Sequence, residues 1–105
     1  MSNRWGISKE VENQVRVRDK NCVYCGIPFD ITGTSHKAKA SWEHIINDIR
    51  INGIENIALC CRSCNASKGA KSLTDWLKAN YCIKKNITED SVADVVKAYL
   101  SKLIA

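Results

Sequence analysis

Four cysteines of this chain have the spacing that a tetrahedral metal site requires. They form two pairs, each with two intervening residues: Cys22 with Cys25, and Cys61 with Cys64. Four thiolates suit one zinc ion, and zinc held in this way is usually structural. Cys60 makes no such pair with Cys64, so we assign it to a buried strand, and we expect Cys82 to pack in a helix.

A second group of polar side chains lies between the two cysteine pairs and directly after the last of these cysteines. Glu43 and His44 are adjacent, and Asn56 and Asn65 follow. Carboxylate, amide and imidazole groups are oxygen and nitrogen donors, which suit a catalytic divalent ion rather than a second structural zinc. The sequence therefore predicts two sites, one that holds the fold and one that does chemistry.

The length and the N-terminal residues bound the class of protein. A chain of 105 residues makes one small domain, which buries only about two thirds of its unfolded surface and gains from a cross-link. The first ten residues lack the apolar core of a signal peptide, and no later run approaches the ~20 apolar residues of a membrane span. We therefore expect a cytoplasmic protein whose reduced thiols bind metal; a disulfide framework is the alternative.

The charge distribution favours a polyanionic partner. The net charge is +5 and the pI is near 9.0. Residues 1–85 carry fourteen Lys and Arg against eight Asp and Glu, whereas residues 86–105 carry two against three. The positive field therefore belongs to the part of the chain that holds the motifs, as expected of a nucleic-acid-binding protein. A basic surface that only keeps the chain soluble is the alternative.

The residue pattern also predicts the elements that carry these side chains. In the first two thirds of the chain these are a helix over about 9–20, a strand over 40–46, a loop over 47–53, a strand over 57–60 and a helix over 61–67. Ser8 is the expected N-cap of the first helix. Because neighbours in a strand point to opposite sides, we place Glu43 and His44 at a strand end, where the chain bends.

Two further helices are predicted near the C-terminus. A capping box at 72–75 opens a helix that runs to about Tyr81. Thr88 is the expected cap of the last helix. Its apolar stripe has three- and four-residue spacing and consists of Val92, Val95, Val96, Tyr99, Leu100 and Leu103. We assign this stripe to core packing, with a dimer seam as the alternative.

The order of the motifs resembles the HNH endonucleases that carry a zinc-binding cysteine quartet. The resemblance rests on Cys22-x-x-Cys25, Glu43-His44-Ile45-Ile46, Asn56-Ile57-x-Leu59 and Cys61-x-x-Cys64-Asn65-x-x-Lys68-Gly69. It implies an α+β fold, a small ββα-metal core stapled by the four-cysteine zinc site, with flanking helices at both ends. We expect residues 1–105 to form a single HNH endonuclease domain, with the motif core at about 20–70 and C-terminal helices at about 72–104.

The resemblance also implies an activity, the hydrolysis of phosphodiester bonds in DNA, and a role for each matching residue. His44 matches the general base that takes a proton from the attacking water, and an imidazole can accept and pass on a proton near neutral pH. Glu43 and Asn65 match the ligands of a catalytic divalent ion, Mg²⁺ or another. Asn56 matches the asparagine that braces the loop carrying the histidine. The catalytic residues expected are therefore His44, Asn56 and Asn65.

Four basic residues are expected to hold the DNA backbone: Arg50, Arg62, Lys68 and Lys71. Lys68 is expected to face a phosphate. Backbone contacts carry no sequence information, so DNA is the expected partner but no particular sequence is. With one active site per chain, we expect a monomer that nicks one DNA strand. Cutting both strands would need a dimer.

Three positions depart from the family pattern. Glu43 is one methylene longer than the commoner aspartate, Asn47 stands where proline is frequent, and the usual glycine pair of the loop is reduced to Gly53. Three other interpretations stay open at this point. They are a non-catalytic zinc-stapled nucleic-acid-binding module, a zinc site of three cysteines with His44, and an adaptor that uses the last helix.

Overall fold

The computed structural model of the protein describes residues 7–29, 38–46, 48 and 50–103. The elements are α1 (Lys9–Arg18), β1 (Ala40–His44), β2 (Ile57–Cys61), α2 (Arg62–Lys68), α3 (Leu73–Leu77), α4 (Asn80–Lys85) and α5 (Asp94–Leu103). The predicted α+β class, the ββα order and the helices at both ends are confirmed. Asn47 and part of the predicted loop lie outside the described residues. None of the helices in the described ranges has the length and apolar character needed to cross a bilayer.

Strands β1 and β2 pair antiparallel and form the sheet that positions the site. His44 lies opposite Ile57, and Glu43 lies opposite Ala58. All five residues of β2 are buried, as its unbroken apolar run predicts. Since side chains alternate across a sheet, Ile57 and Leu59 pack with Val15 of α1, whereas Ala58 and Cys60 face the larger core. Both faces of the hairpin are therefore covered.

The end of α1 is attached to β2 by side chains. The guanidinium of Arg18 pairs with Asp19 at 2.7 Å and donates to the carbonyl oxygens of Ile54 and Ile57. The Asp19 carboxylate in turn accepts the Leu59 N–H at 3.0 Å. These bonds end α1 at Arg18, two residues earlier than predicted, and hold the helix against the edge of the sheet.

The predicted helix over 72–81 is two helices. Ser72 caps α3 as expected, since its hydroxyl accepts the Asp75 N–H at 3.3 Å. However, α3 ends at Leu77 and α4 begins at Asn80. The buried Trp76 and Cys82 are six residues apart, which corresponds to about 240° around one continuous helix. The break lets both side chains face the same core.

The last helix starts later than Thr88. The Thr88 hydroxyl accepts the N–H groups of Asp90 and Ser91 in a turn, and α5 begins at Asp94. The Ala93 N–H donates to the Val23 carbonyl at 2.8 Å, so it cannot make a helical bond within its own segment. Most of the predicted stripe nevertheless packs against the core: Val92 and Val96 are buried, and Val95, Tyr99 and Leu100 are partly buried.

Candidate metal centre and active site

The four predicted cysteines converge. The Sγ atoms of Cys22, Cys25, Cys61 and Cys64 all lie within 4.8 Å of one another, and those of Cys25 and Cys61 are 3.8 Å apart. Four sulfur atoms at about 2.3 Å from one zinc ion would be separated by about 3.8 Å in a tetrahedron. The cluster is therefore a zinc-type site, and the choice of Cys61 over Cys60 is confirmed. His44 is not part of this group, so the interpretation with three cysteines and a histidine is wrong.

Both halves of the cluster use the same local geometry. In the first, the Cys25 N–H donates to the Cys22 sulfur at 3.5 Å, and Gly26, with φ of 79°, turns the chain back. In the second, Cys61 is the N-cap of α2 and its sulfur accepts the Cys64 N–H at 3.4 Å. Backbone N–H groups aimed at sulfur favour the thiolate, which is the form that binds metal.

Hydrogen bonds between the sulfur atoms shift the pKa values of the cysteines in opposite directions. Hydrogen bonds from Cys61 and Cys64 hold the pKa of the Cys22 thiol far below its usual range. Its bond to Cys22 raises the pKa of the Cys61 thiol to about 11. Zinc is bound by thiolates, so its binding would release the protons of those cysteines that are still thiols.

Tyr81 of α4 also touches this cluster. Its hydroxyl lies 3.3 Å from the Cys64 sulfur and 2.9 Å from the Ser63 hydroxyl. Groups that hydrogen-bond to metal ligands orient them and tune the metal affinity. Sequence reasoning did not find Tyr81, because it lies 17 residues beyond Cys64 and outside both cysteine pairs.

Glu43 is buried and has two hydrogen-bond donors on one carboxylate oxygen. Oε2 accepts the Tyr24 hydroxyl at 2.6 Å and lies 3.0 Å from the Lys68 ammonium. Burial raises the pKa of the Tyr24 phenol, which therefore stays protonated as a donor. Lys68, expected to face a phosphate, has a side chain only 1% exposed and is held against Glu43. Sequence reasoning missed both the ion pair and the part played by Tyr24.

Asn65 lies against the same strand. Its Nδ2 donates to the Trp42 carbonyl at 3.1 Å and to the Ser41 hydroxyl at 2.9 Å. The carbonyl can only accept, so the amide nitrogen of Asn65 faces β1. Helix α2 thus contacts β1 through both Asn65 and Lys68, one turn apart.

His44 is the last residue of β1 and is also buried. Its Nε2 lies 2.8 Å from Oδ1 of Asn52. An amide oxygen only accepts, so Nε2 is the donor in this contact. Strand alternation directs Glu43 and His44 to opposite faces, so the two side chains have different partners although they are adjacent. Asn52, within the predicted loop, was not found from sequence.

Asn56 braces the chain that follows His44. Its Oδ1 accepts the Ile46 N–H at 2.6 Å, and its Nδ2 donates to the carbonyl oxygens of Ile51 and Ile46 at 2.9 and 3.3 Å. The side chain is buried, so water cannot replace these bonds. One amide therefore satisfies three backbone groups of the loop that joins the strands.

Replacing Asn56 with alanine is expected to destabilise the zinc-loaded protein by about 3 kcal/mol, because three partly buried backbone groups of Ile46 and Ile51 lose their hydrogen-bond partner. Urea unfolding followed by circular dichroism measures this loss. Asn13→Ala, on the exposed face of α1, is the matched control and should stay within about 0.5 kcal/mol of the parent. A loss below about 1 kcal/mol for Asn56→Ala would contradict the bracing role.

The other three basic residues predicted to contact DNA are on the surface. Arg50 is highly exposed and pairs with Asp48 at 2.8 Å, which lowers the pKa of that carboxyl to about 2. Arg62 is exposed at the start of α2. Lys71 is exposed, and its ammonium donates to the Ser67 carbonyl at 3.3 Å. These residues are accessible to a polyanion, whereas Lys68 is not.

The sheet, the helix that follows it and the cysteine cluster form a small ββα unit with a zinc-type site. Residues 22–71 match the model of the HNH family, described as HNH endonuclease. This segment, a little under half of the chain, is similar to the HNH endonuclease family, whose members are generally nucleases that act on DNA. Searches of curated proteins and of solved structures found no significant match.

Proposed function

We propose that this protein is an endonuclease that hydrolyses phosphodiester bonds in DNA with the help of a divalent metal ion. The observation that carries the proposal is the arrangement at the end of β1. A histidine whose ring is oriented by Asn52 follows a buried carboxylate, and α2 brings Asn65 to the same strand. This arrangement lies within the segment that matches the model of a nuclease family.

In this proposal His44 is the general base. Asn52 accepts the hydrogen bond from Nε2 and orients the ring, and the imidazole accepts a proton from the attacking water. Asn56 keeps the chain after His44 in place through its three backbone bonds and is a positioning residue. The base would then be oriented before the substrate arrives, which lowers the barrier to attack.

We propose that the protein binds two metal ions, one through sulfur atoms and one through oxygen atoms. The sulfur spacing of the cysteine cluster fits zinc, which would be structural. Glu43 and the Asn65 amide oxygen are the donors proposed for the divalent ion, and they are of the type that Mg²⁺ prefers. Such an ion supplies Lewis-acid stabilisation of the phosphate and the leaving oxygen. In the described conformation Lys68 and Tyr24 already occupy Oε2 of Glu43, so ion binding requires an adjustment there.

The DNA backbone is proposed to lie across Arg50, Arg62 and Lys71. These exposed cations belong to the basic part of the chain, and contacts from such residues to phosphates are independent of sequence. We further propose that residues 1–105 act as one domain. The C-terminal part of the chain contacts the cysteine-cluster region at two places. The Ala93 N–H donates to the Val23 carbonyl, and the Tyr81 hydroxyl of α4 donates to the Cys64 sulfur.

A second candidate is a zinc-stapled nucleic-acid-binding module without catalysis. The specific observation in its favour is the Lys68–Glu43 ion pair, because a carboxylate neutralised by a lysine needs no metal ion. The divergence of the Glu43 and His44 side chains to opposite faces points in the same direction.

Incubation of zinc-loaded protein with supercoiled plasmid and a series of divalent ions tests the proposal. We expect nicked circles with Mg²⁺ or Mn²⁺ and none with EDTA. Glu43→Gln should reduce the rate by about 10²-fold or more, the usual loss when one electrostatic stabiliser is removed. Glu55→Gln, an exposed carboxylate near the same loop, is the matched control and should retain the rate. Plasmid that is retarded on gels but never nicked would favour the binding module.

A further inference from the structure

We propose that Lys68 makes binding of the divalent ion depend on binding of nucleic acid. The inference rests on the proposed nuclease function and concerns the regulation of the same site. In the protein alone, the Lys68 ammonium competes with the ion for Glu43. When a phosphodiester is present, its negative charge allows the lysine and the ion to be held together.

The charge count around Glu43 carries this inference. The Glu43 side chain is 8% exposed, and the Lys68 side chain 3.0 Å away is 1% exposed. Among the described residues, the hydrogen-bond and ion-pair partners of Glu43 are Tyr24 and Lys68, and neither adds a negative charge; Asn65, the second proposed ligand, is an uncharged amide. One negative charge is thus already matched by one positive charge before any ion arrives.

A divalent ion at this carboxylate would leave excess positive charge in a nearly closed site. Buried charges are tolerated only when they are paired, and two cations on one carboxylate repel each other. The Tyr24 hydroxyl cannot relieve this repulsion, because it also presents a hydrogen to the same oxygen. We therefore expect weak ion binding in the free protein.

A phosphodiester supplies the missing negative charge. Its oxygens bind the ion directly, and its charge offsets the ammonium of Lys68, whether the lysine remains on Glu43 or moves toward the phosphate. The ion and the DNA then bind cooperatively. Because such coupling is reciprocal, the ion must raise the affinity for DNA by the same factor as DNA raises the affinity for the ion.

The experiment uses zinc-loaded protein carrying His44→Ala, so that the DNA is not cleaved. The affinity for a short fluorescent duplex is measured by anisotropy with and without Mn²⁺ at constant ionic strength, and Mn²⁺ binding to the protein alone is measured by electron paramagnetic resonance. We expect Mn²⁺ to raise the duplex affinity at least tenfold. Adding Lys68→Met should tighten Mn²⁺ binding to the free protein at least tenfold and reduce the coupling to less than threefold. Lys68→Arg, which keeps the charge, should retain the coupling.

Equal Mn²⁺ affinities with lysine and with methionine at position 68 would overturn the inference, as would a duplex affinity that Mn²⁺ does not change. If Lys68→Met does not fold, the Mn²⁺ dependence of duplex binding in the His44→Ala protein with Lys68 intact still tests the inference. The Glu43→Gln variant distinguishes failure of the Lys68 inference from failure of the proposed nuclease function. Mn²⁺ binding that is indifferent to Glu43→Gln would remove the proposed metal site, whereas metal-dependent nicking without coupling would reject only the role of Lys68.

Discussion

Replacing His44 with alanine is expected to slow plasmid nicking by about 10²- to 10⁴-fold, the contribution of a general base, while the zinc content and the fold persist. The expected loss is large because no other imidazole belongs to the motif, and because the hydrogen bond between Nε2 and Asn52 orients the ring. Initial rates with Mg²⁺ or Mn²⁺, together with zinc analysis and circular dichroism, measure it.

A rescue experiment separates a chemical role of His44 from a structural one. In His44→Gly, added imidazole should restore part of the nicking rate, because the small molecule can take the place of the missing base. The same imidazole concentration should not change the rate of the parent protein. His36→Ala, which changes the other histidine of the chain, should leave the rate within about twofold. Nicking that survives His44→Ala would show that His44 is not the base.

Removal of the zinc is expected to unfold the protein. The zinc-type cluster joins the Cys22–Cys25 turn to the start of α2, and in small metal domains the free energy of metal binding is largely the free energy of folding. Cys22→Ser and Cys61→Ser should each lose the one zinc ion per chain and the cooperative thermal transition. Treatment of the parent with a strong chelator should have the same effect, reversed by added zinc.

The two remaining cysteines provide the matched controls for this experiment. Cys60 and Cys82 are as buried as Cys22, Cys61 and Cys64 but lie outside the cluster. Cys60→Ala and Cys82→Ala should therefore keep one zinc ion per chain and lose only the stability of a small apolar group, about 1 kcal/mol. A cooperative, zinc-free fold in both Cys22→Ser and Cys61→Ser would contradict the structural role of the metal.

Features encoded by neighbouring residues could be predicted from the sequence. The two cysteine pairs each form a turn of four residues, so their spacing identified the zinc-type cluster and excluded Cys60. The caps at Ser8 and Ser72 were predicted correctly because an N-cap bonds to a backbone N–H only three residues away. The two strands and α2 were found within a few residues for the same reason.

Only the tertiary structure decided the contacts between segments that are far apart in the chain. Tyr24 and Lys68 reach Glu43 across 19 and 25 residues, and the break between α3 and α4 arises because Trp76 and Cys82 must enter one core. Spacing alone also does not reveal that Lys68 is buried, because its environment is built by β1. The sequence by itself determined the four-cysteine cluster and the ββα order, since these depend on local geometry. The partners of Glu43 and His44 were decided by packing, which brings together residues that no local pattern connects.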